Sequence, residues 1–146
     1  MEDKSALVGT TFPPYSFSVE RGKIREFAQA IEDLKDVYLD PQKAARAGYG
    51  DVTVPPTFGT VVDMWGGPGF DELCKDIKVN PVKVLHGEQE YEYAGDIVAG
   101  DTLTVNTAVA DYVEKKNMHL ITLQKVYINQ RNEEVLKCRM LVVELK

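Results

Sequence analysis

The sequence predicts an α+β fold, with helices first and then a long-stranded antiparallel sheet that carries them on one face. Three observations point there. The first half changes period repeatedly, with apolar residues falling at helical spacing between Pro, Gly and Asp breakers. The stretch Thr57–Trp65 is apolar nearly all round, with Asp63 its one charge, as in a buried helix. The second half holds four long runs rich in Val, Ile, Thr, Leu and Tyr.

Residues 1–14 read as a loosely attached lead ending in Phe12-Pro13-Pro14. Tyr15 to Val19 alternates, with Tyr15, Phe17 and Val19 on one face, and predicts a first strand. Ile24, Phe27, Ala28 and Ile31 then form one stripe of an amphipathic helix within Glu20–Ile31. Residues 32–39 read as an acidic loop. Asp40-Pro41 starts a short helix through Ala47, which Gly48 can close in the left-handed region. Val54-Pro55-Pro56 forces an extended approach to the apolar helix, and Trp65-Gly-Gly-Pro-Gly-Phe70 ends it. Asp71–Lys78 has weak helical character.

The strand runs are Val82–Tyr93, Thr102–Val113, Met118–Asn129 and Val135–Leu145. Their short connections predict an antiparallel meander, and with the first strand a sheet of five. Gly87 inside the first run predicts a bulge beside His86. His119, near the start of a strand, is expected to be exposed. Long strands with few charges also leave edges that invite pairing. Met118–Val126, where Lys125 is the charge, is an example, so a dimer joined edge to edge is expected.

At 146 residues the chain is expected to form one domain over 1–146, burying roughly 70% of the surface its unfolded form exposes. A net charge of -6 with scattered Lys and Arg argues against nucleic acid as a partner. No run is long and apolar enough for a membrane helix, and MEDKSALVGTTF lacks the plan of a signal peptide. A cytoplasmic protein without membrane association is therefore expected. Cys74 and Cys138 lie far apart with no metal-ligand spacing, so two reduced thiols are expected, with no metal and no cofactor. Trp65-Gly-Gly-Pro-Gly lacks the lysine and the strand-to-helix context of a phosphate loop and reads as a chain reversal.

The segment from Asp40-Pro41 through Ala44-Ala45-Arg46-Ala47-Gly48-Tyr49-Gly50-Asp51-Val52 to Pro55 resembles the hydratase segment of the MaoC-like hotdog family. Within that family it is similar to the N-terminal dehydratase type, which includes subunits that pair with a catalytic hotdog in (3R)-hydroxyacyl thioester dehydratases. Tyr15-Ser-Phe-Ser-Val-Glu20 and His86-Gly-Glu-Gln-Glu90 extend the likeness over most of the chain. The resemblance implies a hotdog fold, an antiparallel sheet wrapped around a central helix, and an acyl-CoA or acyl-ACP thioester as ligand.

Dehydrating a 3-hydroxyacyl thioester needs a base, an acid for the leaving hydroxide and donors for the enolate oxygen. MaoC-like hydratases supply an Asp and a His five residues apart and a glycine amide at the start of the central helix. In register with the shared segment, the Asp falls on Asp33 and the His on Tyr38, a poor base at neutral pH. The glycine falls on Pro56, which has no N–H. The catalytic candidates are accordingly Asp33, Tyr38 and His86. The substrate-binding candidates are Arg46, Tyr49, Pro56, Thr57, Phe58 and Trp65. Solvated or packing roles compete at each, notably for Arg46 on its short helix and His86 at a bulge.

The expected function is a substrate-binding, non-catalytic subunit of a (3R)-hydroxyacyl-CoA or -ACP dehydratase, paired with a catalytic hotdog. The alternatives are a homodimeric dehydratase with a site modified around Asp33, Tyr38 and His86, and an acyl-thioester-binding scaffold without activity.

Overall fold

A computed structural model describes residues 4–146, and Met1, Glu2 and Asp3 lie outside them. Besides two short 3-10 helices, the described residues form five α-helices: α1 (Arg21–Ala30), α2 (Asp36–Leu39), α3 (Pro41–Arg46), α4 (Gly59–Gly66) and α5 (Phe70–Asp76). The strands are β1 (Tyr15–Ser18), β2 (Val84–Tyr93), β3 (Thr102–Lys115), β4 (Met118–Ile128) and β5 (Glu134–Leu145). All pairings are antiparallel, in the order β1-β3-β4-β5-β2. The sheet curls around α4, and this is the hotdog fold.

The local signals act as expected at the corner. Asp40 accepts hydrogen bonds from the Gln42 and Lys43 amides at 2.8 and 3.2 Å, capping α3. Gly48 closes it with φ 97°. Ile24 and Ala28 of α1 are fully buried. Residues 32–39 are not all loop, because α2 forms one turn there and buries Tyr38. The bulge at Gly87 is present as a shift of register between His86 and Glu88.

Four further expectations change. Only β3, β4 and β5 form a meander. β2 lies at the far edge beside β5, because residues 94–101 carry the chain back across the molecule. That crossing is tied to the corner, with Ile97 buried, Thr53 bridging Val98 and the Ala99 amide donating to Val52. As a result β4, carrying Met118–Val126, is central rather than an edge.

Nor is the lead loose over its described part. Gly9 and Phe12 donate to the carbonyls of Val109 and Thr107, and Val109 donates to Thr10, so residues 9–12 continue the edge that β1 begins. Leu7 is buried, and Lys4 forms a buried ion pair with Glu144.

His119 is buried rather than exposed. It stacks on Tyr112 with ring centroids 5.9 Å apart, and its Nδ1 lies 2.8 Å from the Tyr112 hydroxyl.

The fourth change concerns α4. Phe58 and Val62 are fully buried, but Trp65 is 69% exposed and Met64 73%. The cause is Gly66. It rests on β1 so closely that an added Cβ would meet the Ser16 carbonyl oxygen at 3.1 Å. A glycine therefore makes the inward contact of the last turn, and Trp65 points outward under the Lys23 ammonium, 4.6 Å from its ring centroid. At the other end Gly59 lies beneath the Tyr91 ring, where a Cβ would come within 2.5 Å of Cε1.

Phe58 makes edge-to-face contacts with Phe17 and Phe27, at 6.2 and 5.8 Å between centroids. Phe58→Ala is expected to cost about 3–5 kcal/mol in urea unfolding. Trp65→Ala should stay within roughly 0.5 kcal/mol of the parent when measured on the monomer.

Glu144 sets an acid dependence. Burial works to raise its carboxyl, but the Lys4 ammonium, the Asn80 amide and the charge of His119 prevail and hold it below the usual range. A depressed folded pKa contributes stability above the unfolded value of about 4.3, which is lost as pH falls through the lower folded value. Glu144→Gln is expected to flatten that part of the urea midpoint against pH.

Candidate functional site

Two cavities bear on the site, one at the corner that precedes α4 and one against α4 itself. The first, about 260 Å³, lies at the corner and is lined in part by Tyr38, Tyr49, Thr53, Pro56, Tyr93 and Asp96. The structure thus brings together Tyr38, Tyr49 and Pro56 from the sequence candidates. Asp33 is half-buried nearby, 3.2 Å from the Lys35 ammonium, which lies 5.8 Å from the centre of the Tyr38 ring. Burial raises the Tyr38 hydroxyl pKa, offset by Lys35 and reinforced by Asp33. Tyr93, also raised by burial, donates to the Pro56 carbonyl at 3.0 Å. Both phenols stay protonated at neutral pH, so they are donors there and not bases.

The other candidates are not gathered at this cavity. Arg46 and Thr57 are exposed and line neither cavity, and Phe58 is core. Trp65 lies on the outward face of α4. His86 is exposed and lines the second cavity, because the strand order puts β2 beside β5.

That second cavity is larger, about 330 Å³, and mostly apolar. Phe12, Met64, Phe70, Leu73 and Met140 form much of its wall. This is the low end of the size range of ligand pockets. Its polar side is a network that the sequence reading missed. Asp63 Oδ1 accepts from Tyr15 at 2.6 Å and from Tyr127 at 2.7 Å, while Lys125 donates to Oδ2 at 2.8 Å. The Lys125 side chain is 7% exposed and that of Asp63 15%. Burial first, then the Asp63 charge, pushes both phenols well above the usual tyrosine range and keeps them as donors.

A second chain of bonds runs beside it. Thr60 Oγ1 and the Tyr91 hydroxyl lie 2.7 Å apart, and Gln89 donates to Tyr91 at 2.8 Å and to the Cys138 sulfur at 3.1 Å. Burial raises Tyr91 and Cys138, each to about 12, so the thiol is inert at neutral pH.

Cross-strand register explains the arrangement. Thr107 faces Lys125, Lys125 faces Cys138, and Cys138 faces Tyr91. A row of polar side chains thus crosses the inner face of the sheet, and Asp63 of α4 closes on it. One signal was available beforehand. Asp63 is the sole charge in an apolar helix and Lys125 the sole lysine or arginine in a long strand, with opposite signs.

Among the described residues no group of His, Cys, Asp and Glu could hold a metal, and no helix is long and apolar enough to cross a membrane.

A curled five-stranded sheet around a short helix, with an apolar cavity beside that helix, defines the class as a MaoC-like hotdog. The chain belongs to the FAS1-like dehydratase domain region family, which matches residues 6–138. Among curated relatives, a UPF0336 protein of Thermobifida fusca is 36% identical over 131 residues, covering 89% of this chain and 86% of the relative. One from Saccharopolyspora erythraea is 33% identical over 133 residues, covering 89% and 83%.

Among solved structures, a MaoC-like dehydratase superposes with TM-score 0.84 at 25% identity, covering 99% of this chain and 44% of that one. A chain of the C-terminally truncated HadBC (3R-hydroxyacyl-ACP dehydratase) complex of Mycobacterium tuberculosis superposes with TM-score 0.83 at 20% identity, covering 96% and 98%. A chain of the ChsH1-ChsH2 complex of the same organism gives 0.69 at 23%, covering 95% and 98%. At those two identities the likeness is one of fold.

Lys125→Met should leave Asp63 buried without its cation and cost about 3–5 kcal/mol. The paired change Asp63→Leu with Lys125→Met should cost clearly less than the sum of the single changes in a double-mutant cycle of urea unfolding.

Proposed function

We propose that this chain is the substrate-binding subunit of a (3R)-hydroxyacyl thioester dehydratase, with the chemistry carried by a partner hotdog. The acyl chain occupies the apolar cavity beside α4. One observation carries the reading. The corner that would hold the catalytic pair is fully built and yet holds protonated tyrosines and a proline where a histidine base and a backbone donor are needed. Membership of a dehydratase domain family and the likeness of fold to chains of two-component complexes support it.

Surface features support a partner as well. Met64, Trp65 and Phe70 are all more than half exposed, and Leu85 on β2 is 53% exposed. Apolar residues left open in this way mark interaction surfaces. β2 is the longer regular edge strand of the sheet, ten residues against the four of β1 at the other edge.

The alternative built on Asp33, Tyr38 and His86 needs His86 beside the other two, and within one chain it lines the other cavity. An inactive acyl-binding scaffold is separated from the proposed subunit only by the assay below.

Purified alone, the chain is expected to hydrate trans-2-enoyl thioesters negligibly, because losing an oxyanion donor costs on the order of a hundredfold or more and losing the base a comparable factor. Adding a hotdog partner with an intact Asp/His motif should restore turnover. Asp33→Asn in this chain should leave the restored rate within about twofold, within the scatter of surface changes. Rapid turnover of crotonyl-CoA by the isolated chain, abolished by Asp33→Asn or His86→Ala, would refute the assignment. An absence of gain with every such partner would favour the scaffold.

A further inference from the structure

The second cavity contains one buried hydroxyl with no use inside the protein. The inward positions of β3 are Leu103, Val105, Thr107 and Val109, and only Thr107 is polar. Thr107 is 7% exposed and lines the cavity. Its Oγ1 is the buried side-chain oxygen that lacks any hydrogen-bond partner among the described residues.

The neighbouring polar groups are already engaged. Asp63 is taken by Tyr15, Tyr127 and Lys125. Gln89 and Thr60 are taken by Tyr91. Thr107 faces Lys125 across the strands, yet the lysine turns to Asp63.

Valine has the same branched shape and suits the same strand position. A hydroxyl buried there without a partner lowers the stability of the empty protein. Packing alone gives no reason for threonine at a site flanked by Val105 and Val109. A ligand atom entering the cavity would give one.

We infer that the acyl chain bound here carries an oxygen function of its own beyond the thioester end, a hydroxyl, keto or ether group that docks on Thr107. The inference rests on the proposed acyl-binding role of the cavity and adds the substrate class. Phe12, Phe70, Leu73 and Met140 give the same cavity apolar wall, so it accepts methylene groups as well as the docking point. The Thr107 hydroxyl can donate to a keto or ether oxygen and can also accept from a hydroxyl, so it suits all three groups. A plain saturated chain would cover the hydroxyl and leave it unpaired, and that is the penalty by which buried polar groups reject analogues lacking the matching atom.

The test is calorimetric binding to the purified chain of decanoyl-CoA and of hydroxydecanoyl-CoA isomers whose hydroxyl is walked from mid-chain to the end. One isomer should bind roughly tenfold more tightly than decanoyl-CoA. Thr107→Val should erase that preference while binding decanoyl-CoA at least as well, and Thr107→Ser should keep it. Without ligand, Thr107→Val should melt about 2–8 °C higher, which also reports that it folds. If decanoyl-CoA binds and no isomer gains, or if the gain survives in Thr107→Val, the inference fails and the acyl-binding role stands. If no acyl-CoA binds at all, the acyl-binding role fails and the inference falls with it.

Discussion

Asp63 fixes the position of α4, and the layout of the interior depends on that position. An eight-residue helix has no stability of its own in water. Burial of Phe58, Val61 and Val62 attaches it to the sheet, but apolar contact alone would tolerate small slides and rotations. The carboxylate removes that freedom, because it must meet Tyr15 on β1 and both Lys125 and Tyr127 on β4. With Asp63 seated, Gly59 falls beneath Tyr91 and Gly66 against β1. Met64 and Trp65 are then turned outward.

The same interaction divides the core. One apolar cluster gathers around Phe58, Val105, Tyr127 and Leu136, and a second around Cys74, Val109, Ile121 and Leu123. Thr107 stands on β3 between Val105 of the first cluster and Val109 of the second, opposite Lys125, and the larger cavity opens there. A buried ion pair is weak evidence for stability, since well-packed apolar residues often serve as well. Its value here is geometric. It holds two walls apart at the place where a ligand would lie.

The parts of this fold that were legible in the sequence are those decided locally. Strand runs, the capped corner at Asp40 and Gly48, and the bulge at Gly87 each depend on a few adjacent residues. Tyr38, Tyr49 and Pro56 meet at one cavity because a single stretch of chain turns back on itself there. The order of the strands depends on a long-range crossing by residues 94–101, and nothing within β2 or β3 announces it. His86 was grouped with the wrong neighbours for that reason. Trp65 was misjudged because an all-apolar helix has no polar face to show which side turns out, and the deciding contact belongs to Gly66. The Asp63–Lys125 pair was visible only as two lone charges, and pairing them needed the register of β4 against the helix.

The two edges of the sheet have different fates, and the difference bears on the cavity. On the β1 side the edge is broken, made of residues 9–12 and then the four residues of β1, with Pro13 and Pro14 between them. On the other side β2 keeps its outer groups free along ten residues, interrupted only where Gly87 bulges against Leu141 and Val143. His86 of β2 and Met64 and Phe70 from the helical side line the same cavity. In the proposed assembly, a partner that pairs along β2 therefore also meets the apolar residues at the cavity's rim. The wall with Thr107 and the Asp63 network belongs to this chain alone, whereas the approach to it would be shared. Under that proposal, one subunit would choose the chain that is bound while the other would position the thioester for reaction.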